Sequence, residues 1–297
     1  YSELEFAINK KILLINVESR SELLVIEKIA KLKKKKIDIG IRLNPNIDPK
    51  TLKQISTGRE GDKFGVDENE FLNLVKYSKV SKFLTLKCLS VHIGSQILSP
   101  RPYAKMLKVI DRVINKASYK FKFIDLGGGF GISYEKNNKK FNFKIFNSLI
   151  NNFLKKHRSK IIFEPGRSII ANTGILISKV IYIKRNKNKN FIILDAAMND
   201  FMRIALYGEK HKIIPSIKKG GTLNKKTEFV GPICESTDKF LTVKKFQPIK
   251  EKDLIVICDV GAYGMTLASN YNVRPLPAEI LVKNSKTQII RNRQKLT

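Results

Sequence analysis

The chain has only three cysteines, Cys88, Cys234 and Cys258, and no two of them form a CxxC pair. An odd, scattered set argues against a disulfide framework or a cysteine-based zinc site, and fits a reducing, cytoplasmic compartment. Histidine is equally scarce: His92, His157 and His211 occur without HExxH spacing, so no metal ion is expected. No run of 18 apolar residues is free of charge, so no membrane span is expected. No GxGxxG fingerprint follows the first strand-like segment, which weighs against an open dinucleotide-binding sheet. Internal repeats and a Pro- or Ser-rich linker are also missing. The opening residues, YSELEFAINKK, lack both a Met and an apolar block and do not read as a signal peptide.

Acidic residues are few as well: 26 Asp and Glu stand against 57 Lys and Arg in 297 residues, a net charge of +31. Such a charge fits nucleic acid or an anionic membrane. Its kind argues otherwise, because 45 of the basic residues are Lys and only 12 are Arg. Nucleic-acid readers lean on the Arg fork. Here Lys travels with Ile and Asn, as in KLKKKKIDI and KRNKNKNF. The excess reads as a solvated surface, and no nucleic-acid partner is expected.

Hydrophobic residues make up 42% of the chain, enough for a core. KILLINVES (11–19), DIGIRLN (38–44), LKCLSVHIGS (86–95), KFIDLGGG (122–129) and KIIFEPGR (160–167) read as buried parallel strands. Helical stretches separate them: one runs to about Leu32, and others lie near 68–79, 101–117 and 143–156. From Thr173 the texture turns β-rich, in GILISKVIYIKR, NFIILDAAM, TEFVGPICE, FLTVKKF, DLIVICDVGAYG and AEILVKN, with one helix-like stretch at about 197–210. The expected architecture is α/β plus β: an incomplete TIM-type (β/α)8 barrel over residues 1–172, then a mostly antiparallel β domain over 173–297.

Polar residues gather where the barrel strands end. Gly127, Gly128 and Gly129 let backbone approach an anion, or simply make a tight turn. Glu164–Pro165–Gly166–Arg167 offers a carboxylate for a cation and a guanidinium for a phosphate or carboxylate, or else a loop salt bridge. His92 lies at another strand end, with Gly94 and Ser95 beside it. In the β-rich half, Cys234 on a Gly-Pro turn is either a proton donor next to Glu235 or a buried small hydrophobe. Tyr263 sits on a glycine-flanked turn. Arg203 and Tyr207 share a helix face and could hold one acid group.

Taken in order, VHIGSQ, DLGGGFGISY, FEPGRSI, DAAMND, the Arg203-to-His211 stretch, GPICES and GAYGMTLASNYNVRPLPAE resemble the pyridoxal-phosphate-dependent decarboxylases of the alanine-racemase fold. GPICES, with ISTGREGDKFGV and the Arg203/Tyr207 pair, resembles their diaminopimelate branch. The resemblance implies a carboxy-lyase that uses pyridoxal 5'-phosphate to convert meso-2,6-diaminopimelate to L-lysine and carbon dioxide, the last step of bacterial lysine biosynthesis. His92 would stack on the cofactor ring, and Gly127 to Gly129 with Ser95 would hold its phosphate. Glu164, followed by Pro165 and Gly166, would meet the ring nitrogen. Arg167, Arg203 and Tyr207 would bind the distal carboxylate of the substrate, and Glu235 its ammonium. Tyr263 would touch phosphate and substrate, and Cys234 would return the proton. Cys234 and Glu235 would come from the partner subunit of a homodimer with shared sites.

The sequence departs from the family in places. Ile204 stands where Pro is common, and Glu209 and Lys210 precede His211 in place of smaller or aromatic residues. The family's Schiff-base lysine belongs to a motif resembling Tyr-Ala-Val-Lys-Ala on the first barrel strand, and no lysine here has that context. With five of eight units visible, about 95 residues carrying that lysine are expected ahead of Tyr1. The 297 residues alone are then expected to be inactive and to expose an aggregation-prone sheet edge. The tail after Arg293 also reads as short. Competing readings are a decarboxylase of ornithine, arginine or carboxynorspermidine, and an inactive relative that works as a binding partner.

Overall fold

The computed structural model describes residues 1–134 and 140–295. Elements follow in the order α1 (Ser2–Asn9), β1 (Ile15–Val17), α2 (Arg20–Leu32), β2 (Ile37–Arg42), α3 (Glu68–Val80), β3 (Leu84–Ser90), α4 (Arg101–Ala117), β4 (Phe123–Asp125), α5 (Phe143–His157) and β5 (Lys160–Ile162). The five strands pair in sequence order, β1-β2-β3-β4-β5, and every pairing is parallel. Successive parallel strands need crossovers, which the intervening helices supply. Five βα units in this order match the expected run of a (β/α) barrel.

Local chemistry fixes the helix ends. Ser19 accepts from the Glu22 N–H at 3.1 Å while Glu22 reaches back to the Glu18 N–H at 2.7 Å. Asp67 and Asn142 cap α3 and α5 by accepting the Glu70 and Ile145 N–H groups. In α4 the residues Tyr103, Met106, Leu107, Ile110, Val113 and Ala117 are buried, spaced as one helical face. Tyr103 heads an aromatic cluster with Phe130, Phe141 and Phe146, ring centroids 5.1–5.8 Å apart.

A compact unit comprises Tyr1–Ile132 and the stretch ending at Gly166; a second comprises Ser133, Tyr134 and the chain from Arg167 onward. In the second unit α6 (Arg167–Ile170) leads into β6 (Leu176–Arg185), β7 (Asn190–Leu194), α7 (Arg203–Tyr207), β8 (Ile213–Pro215), β9 (Thr227–Val230), β10 (Lys239–Val243), β11 (Leu254–Ile257), β12 (Glu279–Lys283) and β13 (Lys286–Arg291). Six strands form one sheet in the order β10-β9-β7-β6-β11-β8, antiparallel except for β7 with β9. Its core holds Val180, Ile192, Leu194, Phe201, Phe229, Phe240, Ile255 and Ile257. β12 and β13 form a separate hairpin.

The helix expected over 197–210 shrinks to the five residues of α7. Asp200 turns back to accept the Ala197 N–H at 2.8 Å, and Asn199 donates to the Ser269 carbonyl at 3.1 Å, so both side chains serve loops instead of a helix. Gly208, with φ +66°, closes the far end. The strand β8 escapes the sequence pattern because it is three residues long and ends in Pro215, which only an edge position tolerates.

Removing the α3 cap with Asp67→Ala is expected to cost about 1 kcal/mol. Leu74→Ala on the buried face of the same helix, where Leu74 is fully inaccessible, should cost about 2–5 kcal/mol. Urea denaturation followed by circular dichroism checks both, and equal losses would contradict the packing described.

Candidate active site

In the first unit, three neighbouring strands end in the residues singled out from sequence. His92 lies two residues beyond β3, Gly127 two beyond β4, and Glu164 two beyond β5. Hydrogen bonds join them: the Glu164 N–H donates to the Gly127 carbonyl at 2.9 Å, and the Gly128 N–H donates to the side-chain Nδ1 of His92 at 3.1 Å. That second bond makes Nδ1 an acceptor and leaves the ring proton on Nε2. The His92 carbonyl is held by Thr57 Oγ1 at 2.9 Å. Burial, and then the Arg42 guanidinium, push the His92 imidazole down to about 4, so it is neutral near pH 7.

The glycine turn is shaped by contact with protein. Gly127 and Gly129 have φ of +63° and +92°. A Cβ on Gly128 would lie 2.1 Å from the Glu164 carbonyl oxygen, and one on Gly129 would lie 2.2 Å from that of Gly94. No other residue fits this path. Tyr103 donates to the Gly128 carbonyl at 2.7 Å and ties the turn to the aromatic cluster.

Beneath it lies Asp125, which is 1% exposed. It accepts from Gly127 N–H at 2.9 Å, from Asn16 Nδ2 at 2.9 Å and from Ser90 Oγ at 3.3 Å. Glu164 is raised above the ordinary carboxyl range, by burial first and then by the charge of Asp125. Ser95 follows on the β3 loop, where its N–H donates to the Ile55 carbonyl at 3.0 Å. Pro165 and Gly166 continue from Glu164 toward α6.

The second unit gathers Arg167, Arg203, Tyr207 and Tyr263 around Tyr134, a residue the sequence pattern did not single out. Arg167 Nη1 donates to Tyr134 Oη at 2.8 Å. The Arg203 guanidinium lies 5.4, 5.6 and 5.8 Å from the ring centroids of Tyr134, Tyr207 and Tyr263, and that of Arg167 lies 5.0 Å from Tyr263. Arg203 is 1% exposed, and among the described residues its Nε and Nη2 have no hydrogen-bond partner. Glu209 Oε1 is 3.5 Å from Nη2, an ion pair without good hydrogen-bond geometry. Burial lowers the Arg203 guanidinium, with the charge of Arg167 adding to it. A buried cation with open donors is suited to an anionic group of a ligand.

Cys234 and Glu235 are also in this unit, on the turn after β9, and both are exposed. The buried-hydrophobe alternative for Cys234 therefore fails. Glu235 accepts from Tyr271 Oη and from Thr237 Oγ1, the latter at 2.9 Å, and these bonds hold its carboxyl below the usual range. Among the described residues no His, Cys, Asp and Glu cluster suits a metal, and no helix is long and apolar enough to cross a membrane.

The glycine turn with its closely packed backbone, a neutral imidazole and the Glu164 carboxyl at neighbouring strand ends together fit a phosphate-bearing aromatic cation. Comparison with known proteins agrees. Residues 1–171 match the family profile of the pyridoxal-dependent decarboxylase, pyridoxal binding domain. Diaminopimelate decarboxylase of Aquifex aeolicus is 39% identical over 297 residues, covering 98% of this chain and 70% of that protein. The Helicobacter pylori diaminopimelate decarboxylase is 41% identical, covering 99% and 73%. Its crystal structure in complex with L-lysine superposes with a TM-score of 0.91, covering 99% of this chain and 74% of that one. The M. jannaschii enzyme in co-complex with L-lysine, at 32% identity, gives 0.90 with 99% and 70% coverage.

Buried His211 offers a test of the electrostatics around the arginines. Its Nδ1–H faces the Cys258 carbonyl at 2.9 Å, and burial foremost pushes the imidazole from 6.5 down to about 4. Between those values the unfolded chain takes up a proton that the folded one refuses. Stability is therefore lost as pH falls through this window, by roughly 3 kcal/mol for this residue. His211→Gln should flatten the fall in urea midpoint between pH 6.5 and 4.5; an unchanged slope would contradict neutral burial.

Proposed function

This chain belongs to the pyridoxal-dependent decarboxylases, and we propose that it removes carbon dioxide from meso-2,6-diaminopimelate to give L-lysine, with pyridoxal 5'-phosphate as cofactor. The observation that carries the substrate is the buried Arg203 beside Arg167, with an Nε that has no hydrogen-bond partner among the described residues. A carboxylate remote from the reacting centre is the group such a pair selects.

When bound, the cofactor supplies an electron-accepting ring conjugated to the substrate carbon that loses its carboxylate. Gly127, Gly128, Gly129 and Ser95 hold its phosphate on a turn whose path admits only glycine. His92, neutral and fixed by the Gly128 N–H, presents a flat uncharged face to the ring. Glu164 holds a proton at the ring nitrogen, and Pro165 and Gly166 continue the same cofactor-binding segment. Arg167, Arg203 and Tyr207 orient the substrate through its distal carboxylate, and Tyr263 borders both phosphate and substrate. Orientation of this kind fixes which carboxylate faces the ring. Glu235, kept anionic by Tyr271, suits the distal ammonium. Cys234 gives its proton to the carbon from which carbon dioxide has left.

Both Cys234 and Glu235 are exposed, which supports their working in a second copy's site. We infer a homodimer with shared active sites, in the cytoplasm where lysine is made.

The test measures lysine and carbon dioxide released from meso-diaminopimelate by the natively expressed protein with pyridoxal phosphate. Arg203→Ala is expected to lower kcat/KM about 100-fold or more through loss of a charge-assisted bond. Arg203→Lys should recover little, because the bidentate fork is lost. A kcat/KM untouched by Arg203→Ala, or a preference for ornithine, would refute the substrate assignment.

A further inference from the structure

Cys234 follows Gly231–Pro232–Ile233, a segment with no polar side chain to steer its sulfur. The steering group comes from 38 residues along the chain: Asn272 Nδ2 donates to Cys234 Sγ at 3.7 Å. The adjacent Tyr271 gives its single hydroxyl proton to Glu235 Oε1, which leaves nothing for the sulfur. Among the described residues, the hydrogen bond into Sγ is therefore the one from Asn272. Glu235 next to it is anionic and opposes a second negative charge. Any thiolate formed here needs a compensating donor.

The backbone at this corner is unusual in the same place. Asn272 has φ 53° and ψ 33°, and Val273 follows with φ 56°. Asparagine tolerates the left-handed region, but a β-branched residue rarely enters it. Two such residues in succession are retained where the surroundings over-determine them. The corner turns the Asn272 amide back onto the cysteine.

We propose that Asn272 is a positioning residue for Cys234: its amide donates to the sulfur, leaves the thiol proton free to point toward substrate, and holds the thiolate that remains. The proposal deepens the reading of Cys234 as the proton donor and rests on it. In the step served, the S–H bond breaks and its electron pair stays on sulfur. The proton forms a C–H bond with the electron pair left on the substrate carbon by departing carbon dioxide.

The experiment is the rate of Cys234 alkylation by iodoacetamide in the native protein without substrate, read by peptide mass mapping. Cys88 is buried, with its thiol pushed up to about 12, and Cys258 is half-buried and raised by burial. Neither competes with Cys234. Asn272→Gly keeps the left-handed backbone but removes the donor, and should slow alkylation about threefold or more. Asn272→Asp keeps both the shape and the tolerance for the turn but places a carboxylate against the sulfur, and should slow it further. A purely structural role predicts a near-native rate for Asn272→Gly, which keeps the backbone, and that result overturns the proposal. Slowed alkylation in both variants supports it even in a protein that releases no lysine, so failure of the decarboxylase reading is seen separately.

Discussion

The first unit hangs on one buried carboxylate. Asp125 receives an amide from Asn16 at the start of the sheet, a hydroxyl from Ser90 in its middle and the first N–H of the glycine turn. Those three bonds knit strands that are far apart in sequence to the glycine turn. A buried carboxylate is tolerable only when its lone pairs are met in this way. Burial raises the Glu164 carboxyl alongside, and the charge of Asp125 adds to it.

The second unit solves an opposite problem, that of keeping two guanidinium groups in one neighbourhood. Like charges at short range in a poorly hydrated setting repel strongly. Tyrosine rings offset this by presenting their electron-rich faces: Tyr134 and Tyr263 each border both arginines. Glu209 adds an ion pair at the margin. An anionic group placed between two such guanidinium groups would lower their repulsion further.

Most of this was legible in the sequence where function and local pattern coincide. The parallel strands, the helices α3, α4 and α5, and the candidate residues two positions past each strand follow from runs and periods within a dozen residues. His92, Glu164 and Arg203 are singled out by type and place. What escaped depends on distance. Asp125 looks like one more residue of its motif until Asn16 is brought 109 positions to meet it. Tyr134 shows no sign of its arginines, and Asn272 none of its sulfur. The stretch 197–210 misled for a related reason: Asp200 and Asn199 have helix-compatible neighbours but spend their side chains on loop backbone. The hairpin strand β13, KTQIIR, carries no clear alternation because both its faces are exposed.

The glycine turn has a thermodynamic consequence. Its course is dictated by the carbonyls of Gly94 and Glu164 and by the phenol of Tyr103, all part of the folded chain. The loop therefore takes its shape during folding and not at the encounter with a ligand. The conformational entropy of arranging it has already been given up when a phosphate arrives, and association need not supply it again. For the phosphate proposed to bind here, affinity would in this sense be stored in the packing of the strand ends.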